Sequence, residues 1–171
     1  MTHRMLKTLM IGFVALAAGC DIIPDNGDNG NDNGNNGNGN NDELAKSFVA
    51  DLSGAAERPD PVQTNATGTA TFELNDAGTQ LTYNITAEGL SGDVSGAHFH
   101  LSDNGPEGSG GVVFGFTEVV VNDGNGGATA QGTWDLSADD VADIRAGDIY
   151  VNLHTDANPA GEIRGNLVEA S

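Results

Sequence analysis

The chain has 171 residues, with 25 acidic side chains against 6 basic ones and a formal net charge of −19 at pH 7. That balance excludes nucleic acid and anionic lipid headgroups as partners, since both are held by patches of Lys and Arg. Cys20 is the only cysteine, which excludes an intramolecular disulfide.

The opening MTHRMLKTLMIGFVALAAGC sets Arg4 and Lys7 ahead of an apolar run from Leu9 to Ala18. The run is shorter than the roughly 20 residues that a membrane span needs, and it fits the core of a signal peptide. Its end, LAAGC, resembles the lipobox of bacterial lipoproteins. This implies cleavage after Gly19, lipid on the Cys20 sulfur, and anchoring to the membrane of the bacterial cell envelope, on the periplasmic side or at the cell surface. Residues 1–19 are expected to be the lipoprotein signal peptide. Two or more acyl chains suffice for stable attachment. Removal of the leader leaves Lys46, Arg58, Arg145 and Arg164 as the cations.

From Asp25 to Asp42 the chain contains only Asn, Gly and Asp. No apolar side chain there offsets the entropy of ordering, so residues 20–46 are expected to form a disordered tether behind the lipidated cysteine. An EF-hand register, with oxygen ligands at fixed positions and a closing glutamate, does not fit this stretch.

Residues 47–171 read as one folded domain. TATFEL puts Ala70, Phe72 and Leu74 on one face, and QLTYNITA does the same for Leu81, Tyr83, Ile85 and Ala87, with the turn residues NDAG between them. SFVADLS, VSGAHFHL, GGVVFGF, TEVVV, ATAQGTW, DIYVNLHT and GEIRGNLV are further short strands bounded by Gly, Asn, Asp or Pro. This spacing predicts an all-β antiparallel sandwich or barrel. One helix is predicted near residues 137–146, with Ser137 as N-cap, Asp140 completing a capping box and Gly147 as the stop. Val141 and Ile144 would pin it to the sheet. Trp134 is expected in the core or as a lid on this helix.

FVADLSGAAERPDPVQTNATGTATFEL, the central AHFHL and the closing GDIYVNLHTDANPAGEIRGNL together resemble the CHRD (chordin-type) domain. The resemblance implies an immunoglobulin-like antiparallel β-sandwich and an extracellular setting, but no activity. The expected function is a non-catalytic, lipid-anchored binding or interaction module with an unidentified protein or glycan ligand, the alternative being a copper- or zinc-binding protein. The cysteine-rich modules with which animal chordins bind growth factor are absent from this chain, so that activity is not implied.

His98 and His100 stand two residues apart in a predicted strand and therefore on one face. Tyr150, Asn152 and His154 share one face of another. If these two strands pair, the three histidines converge on an outward face as a copper or zinc site with an open coordination position. Asp103, Asp156 and Glu162 are candidates to receive the second ring N–H of the ligands. Copper–zinc superoxide dismutases also use an H-x-H pair on a sandwich strand, but their other ligands and cysteines are missing here. The alternative is that the histidines only tie loops together. Glu162 and Arg164, two residues apart in GEIRG, are expected to form a structural ion pair. No nucleophile elbow, phosphate loop, dinucleotide fingerprint or HExxH is present.

Overall fold

A computed structural model describes residues 46–171. The lipobox, Cys20 and the Asn/Gly/Asp-rich stretch lie outside the described residues. The strands are β1 (Ser47–Ser53), β2 (Thr67–Leu74), β3 (Gln80–Glu88), β4 (Val94–Leu101), β5 (Val112–Gly115), β6 (Val120–Asn122), β7 (Ala128–Asp135), β8 (Ile149–Thr155), β9 (Ile163–Asn166) and β10 (Val168–Glu169). One α-helix, α1 (Ala138–Ala146), and 3-10 turns at Gly54–Ala56 and Thr117–Val119 complete the described elements. No helix among the described residues is long and apolar enough to cross a membrane.

The strands form one sheet in the order β5-β4-β8-β9-β1-β2-β3-β7-β6, with β10 also against β1. Every strand pair is antiparallel. The sheet curls, because strands far apart in that order meet inside it. Phe99 of β4 packs edge-on to Phe72 of β2 at 5.9 Å and to Tyr83 of β3 at 5.3 Å, and stacks on Trp134 of β7 at 5.5 Å. These rings and the alternating aliphatics form one continuous core, as expected of an all-β sandwich-like fold. Trp134 belongs to that core.

The curl closes through side chains. The Asn122 amide of β6 accepts from the Val94 N–H (2.8 Å) and donates to the Val94 carbonyl (3.3 Å), standing in for a peptide group along β4. Thr117 Oγ1 accepts from the Ala97 N–H at 2.8 Å.

Local chemistry accounts for the elements. Asn75 Oδ1 accepts from the Thr79 and Gln80 N–H groups, and Gly78 takes φ +66°, so NDAG closes the β2–β3 hairpin. At α1 the Ser137 hydroxyl accepts from the Asp140 N–H and the Asp140 carboxylate accepts from the Ser137 N–H. Gly147 ends the helix at φ +75°, and Val141 and Ile144 are buried. Two predicted strands differ from expectation. Thr117–Val119 coils into a 3-10 turn before β6, and GEIRGNLV divides into β9 and β10 at Leu167, whose N–H bonds to the Ile149 carbonyl.

Candidate metal centre

β4 and β8 are neighbours, with Gly96 opposite His154, His98 opposite Asn152 and His100 opposite Tyr150. Ala97, Phe99, Val151 and Leu153 alternate onto the inner face and are fully buried. The same alternation turns His98, His100 and His154 outward together. Glycines make room for the rings. A Cβ at Gly96 would stand 3.2 Å from His98 Cε1 and 3.4 Å from His154 Cβ, and Gly115 lies opposite His98 on β5.

Each of the three histidines offers one nitrogen, and these nitrogens lie within 4.8 Å of one another. Two loop carbonyls decide which nitrogen it is. The Gly110 carbonyl lies 3.0 Å from His100 Nδ1, and the Pro159 carbonyl lies 3.1 Å from His154 Nδ1. A carbonyl only accepts, so both Nδ1 atoms carry the proton and both Nε2 atoms keep the lone pair. His154 Nε2 lies 3.1 Å from His98 Nδ1, so His98 Nδ1–H donates across this contact in the metal-free chain. His100 Nε2 is buried and has no hydrogen-bond partner. An ion about 2.0 Å from each nitrogen would see the His98–His154 pair at an angle of roughly 100°, an ordinary angle between neighbouring ligands.

Electrostatics keeps the rings neutral. Burial lowers the pKa of all three below the usual histidine value. The bonds to Gly110 and Pro159 push back for His100 and His154, and the neighbouring histidines add to the lowering for both. Neutral imidazole is the form that binds metal.

Backbone carbonyls, not carboxylates, hold the ring N–H groups of His100 and His154. Asp103 and Asp156, expected in that role, are exposed, and Glu162 is occupied elsewhere. The loops at both strand ends fold back with main chain facing the rings. At Gly110 no side chain is tolerated, since a Cβ would run into the Leu101 carbonyl oxygen.

Glu162 and Arg164 do not pair with each other, which corrects the expected ion pair. Glu162 is fully buried and accepts from Thr64 Oγ1 (2.9 Å), Thr155 Oγ1 (2.6 Å), Ser91 Oγ (2.6 Å) and the Ser91 N–H (3.0 Å). Burial pushes its pKa up, but the bonds from Ser91, Thr155 and Thr64 outweigh this and hold it below the usual carboxylate value. Arg164, also buried, lays its guanidinium 3.6 Å over the Tyr150 ring and donates to the Pro106 carbonyl at 3.1 Å. The i, i+2 spacing misleads because Glu162 precedes β9 and belongs to the loop.

Sequence reasoning missed Tyr150, Glu57 and Gly110. Tyr150 stacks on His100 at 4.8 Å with the rings 7° from parallel. Its position in the Tyr150–Asn152–His154 face was the available signal. Glu57 Oε2 accepts from Asn152 Nδ2 at 3.2 Å, while its buried Oε1 has no partner. Burial raises the Glu57 pKa to about 7, against the lowering effects of Asn152 and of the Arg164 and Arg58 charges.

The CHRD domain profile matches residues 48–167. The chain belongs to the CHRD domain family. No curated protein matches the chain at a significant level. The match spans β1 to Leu167, so the histidine cluster of this CHRD domain lies inside the family module. Among the described residues it is the one group of three or more His, Cys, Asp or Glu arranged to share an ion. A surface cleft of about 410 Å³ beside Lys46, Asn75, Asp76 and Arg145 includes none of the three histidines.

Proposed function

We propose that this CHRD domain is an extracytoplasmic binding module whose ligand is a copper or zinc ion, held by His98 Nδ1, His100 Nε2 and His154 Nε2. One observation carries the reading. His100 and His154 have their Nδ1–H groups committed to backbone carbonyls, so both present an Nε2 lone pair. His100 Nε2 has no partner, and His154 Nε2 accepts only the His98 Nδ1 proton, which an ion bound between the two would displace. Copper and zinc are the metals suited to an all-imidazole set with an open position. The acid-rich chain favours cations at its surface and disfavours anionic substrates, which fits capture or buffering of a metal ion. The LAAGC ending of the leader supports display on a lipid anchor at Cys20, with the Asn/Gly/Asp-rich stretch as spacer.

Titration of the purified chain with Cu²⁺ and Zn²⁺, beside the His98→Ala/His100→Ala variant, tests the reading. At about 100-fold excess over Kd, metal should raise the wild-type melting temperature by on the order of 10 °C and leave the variant unmoved. Equal, weak binding by both proteins would sink the metal site. Affinity should also fall on acidification as protons compete for the imidazoles, with the onset below the ordinary histidine value of about 6.5 because burial lowers all three.

A further inference from the structure

Gly110, whose carbonyl selects the His100 tautomer, lies in the connection between β4 and β5, residues 102–111. That connection is rich in glycine, with Gly105, Gly108, Gly110 and Gly111, and has little stiffness of its own. Its course is set by attachments. Two nitrogens of Arg58, Nε at 3.0 Å and the NH2 nitrogen at 2.6 Å, donate to one oxygen of Glu107. Arg164 donates to the Pro106 carbonyl at 3.1 Å, and the Gly110 N–H donates to the Tyr150 hydroxyl at 3.2 Å. Within the connection, Gly108 N–H bonds to the Gly105 carbonyl (3.0 Å) and Asp103 N–H to the Ser109 carbonyl (3.3 Å). Arg58 is itself anchored in the turn after β1, donating to the Ala55 and Glu57 carbonyls at 3.2 and 2.9 Å.

We infer that the Arg58–Glu107 clamp positions His100. By tying the β4–β5 connection to the turn after β1, it keeps the Gly110 carbonyl against His100 Nδ1 and so leaves Nε2 as the open lone pair. Arg58 and Glu107 are positioning residues that act through Gly110. The consequence for affinity rests on the metal reading of the three histidines, whereas the tautomer is a property of the metal-free chain and can be read without an ion.

The Glu107 side chain is 75% exposed, so its substitution removes the clamp without opening the core. Nitrogen NMR of the full-length, metal-free protein at pH 7.5, labelled at histidine, reads the tautomers of Glu107→Gln and of the charge-reversed Glu107→Lys. The Nδ1–H share of His100 should drop in both variants, further in Glu107→Lys. His154, held by Pro159 in a different loop, should keep its tautomer and serves as the internal control. Copper affinity should fall about fivefold in Glu107→Gln, near the ceiling for an exposed ion pair, and about tenfold in Glu107→Lys, in the range of changes to groups that orient metal ligands. An unchanged His100 tautomer in Glu107→Lys overturns the clamp. A wild type that binds neither copper nor zinc sinks the metal reading instead, and the tautomer shift then still decides the clamp.

Discussion

The two halves of the sheet bury their residues differently. In β2, β3 and β7 the alternation is almost strict, with Phe72, Leu81, Ile85 and Trp134 inside and Thr71, Thr82, Asn84 and Gln131 in solvent. In β8 both faces are covered, and Tyr150 and Asn152 are as inaccessible as the core valine and leucine beside them. The cover comes from connecting segments: Glu57 reaches Asn152, Gly110 reaches Tyr150, and Pro106 reaches Arg164. Polar side chains that would be wet on the first half are dry on the second, and there each bond they make or lack matters. The histidine cluster sits at the edge of that covered region.

Three measurements put numbers on this contrast, beginning with the largest effect. Glu162→Ala removes the one acceptor shared by Thr64, Ser91 and Thr155 and should cost about 3–5 kcal/mol in chemical unfolding. A loss below about 1 kcal/mol would mean that water reaches these hydroxyls. Glu57 gives the next effect, with a definite sign. Its folded pKa of about 7 lies above the ordinary 4.5, so the folded state holds the proton longer than the unfolded state. The associated stability is complete below about pH 4.5 and is lost as pH rises through 7. The full rise in pKa corresponds to about 3 kcal/mol, which solvent screening of this incompletely desolvated carboxyl reduces to on the order of 1–2 kcal/mol. Comparison of the metal-free wild type with Glu57→Gln at pH 5 and pH 8 isolates this change, because the histidines titrate alike in both. Equal pH slopes would show that Glu57 titrates in the fold as it does in the unfolded chain, with no raised pKa. Smallest of the three, Thr82→Ala on the bare outer face of β3 should move the urea midpoint by no more than about 0.5 kcal/mol of stability.

Legibility in the sequence follows the same division. Where one face meets solvent, hydrophobic alternation spells out the strand, and the β2–β3 hairpin and its NDAG turn could be placed residue by residue. The capping box and Gly147 fixed α1 for the same reason, since local signals sufficed. The three histidines were readable as a same-face set once β4 and β8 were assumed to pair. Their neighbours were not. Glu162 is paired in space with Thr64 and Ser91, which are distant in sequence and carry no pattern linking them to it. The carbonyls of Gly110 and Pro159 are invisible in principle, because any residue supplies a carbonyl and only the loop path aims it. Burial of Tyr150 and Arg164 likewise depends on segments folding over them from elsewhere in the chain.

The closure of the sheet by Asn122 and Thr117 bears on how copies of this domain behave side by side. A strand left bare along one side offers its peptide groups to any neighbouring chain and is a common start for aggregation. Here the amide of Asn122 occupies the peptide groups of Val94, and Thr117 with the Phe116 N–H occupies those of Ala97. Two side chains thus do the work of an extra strand. The peptide groups of Val94 and Ala97 are thereby taken up within the molecule and cannot recruit a second copy along that side of β4.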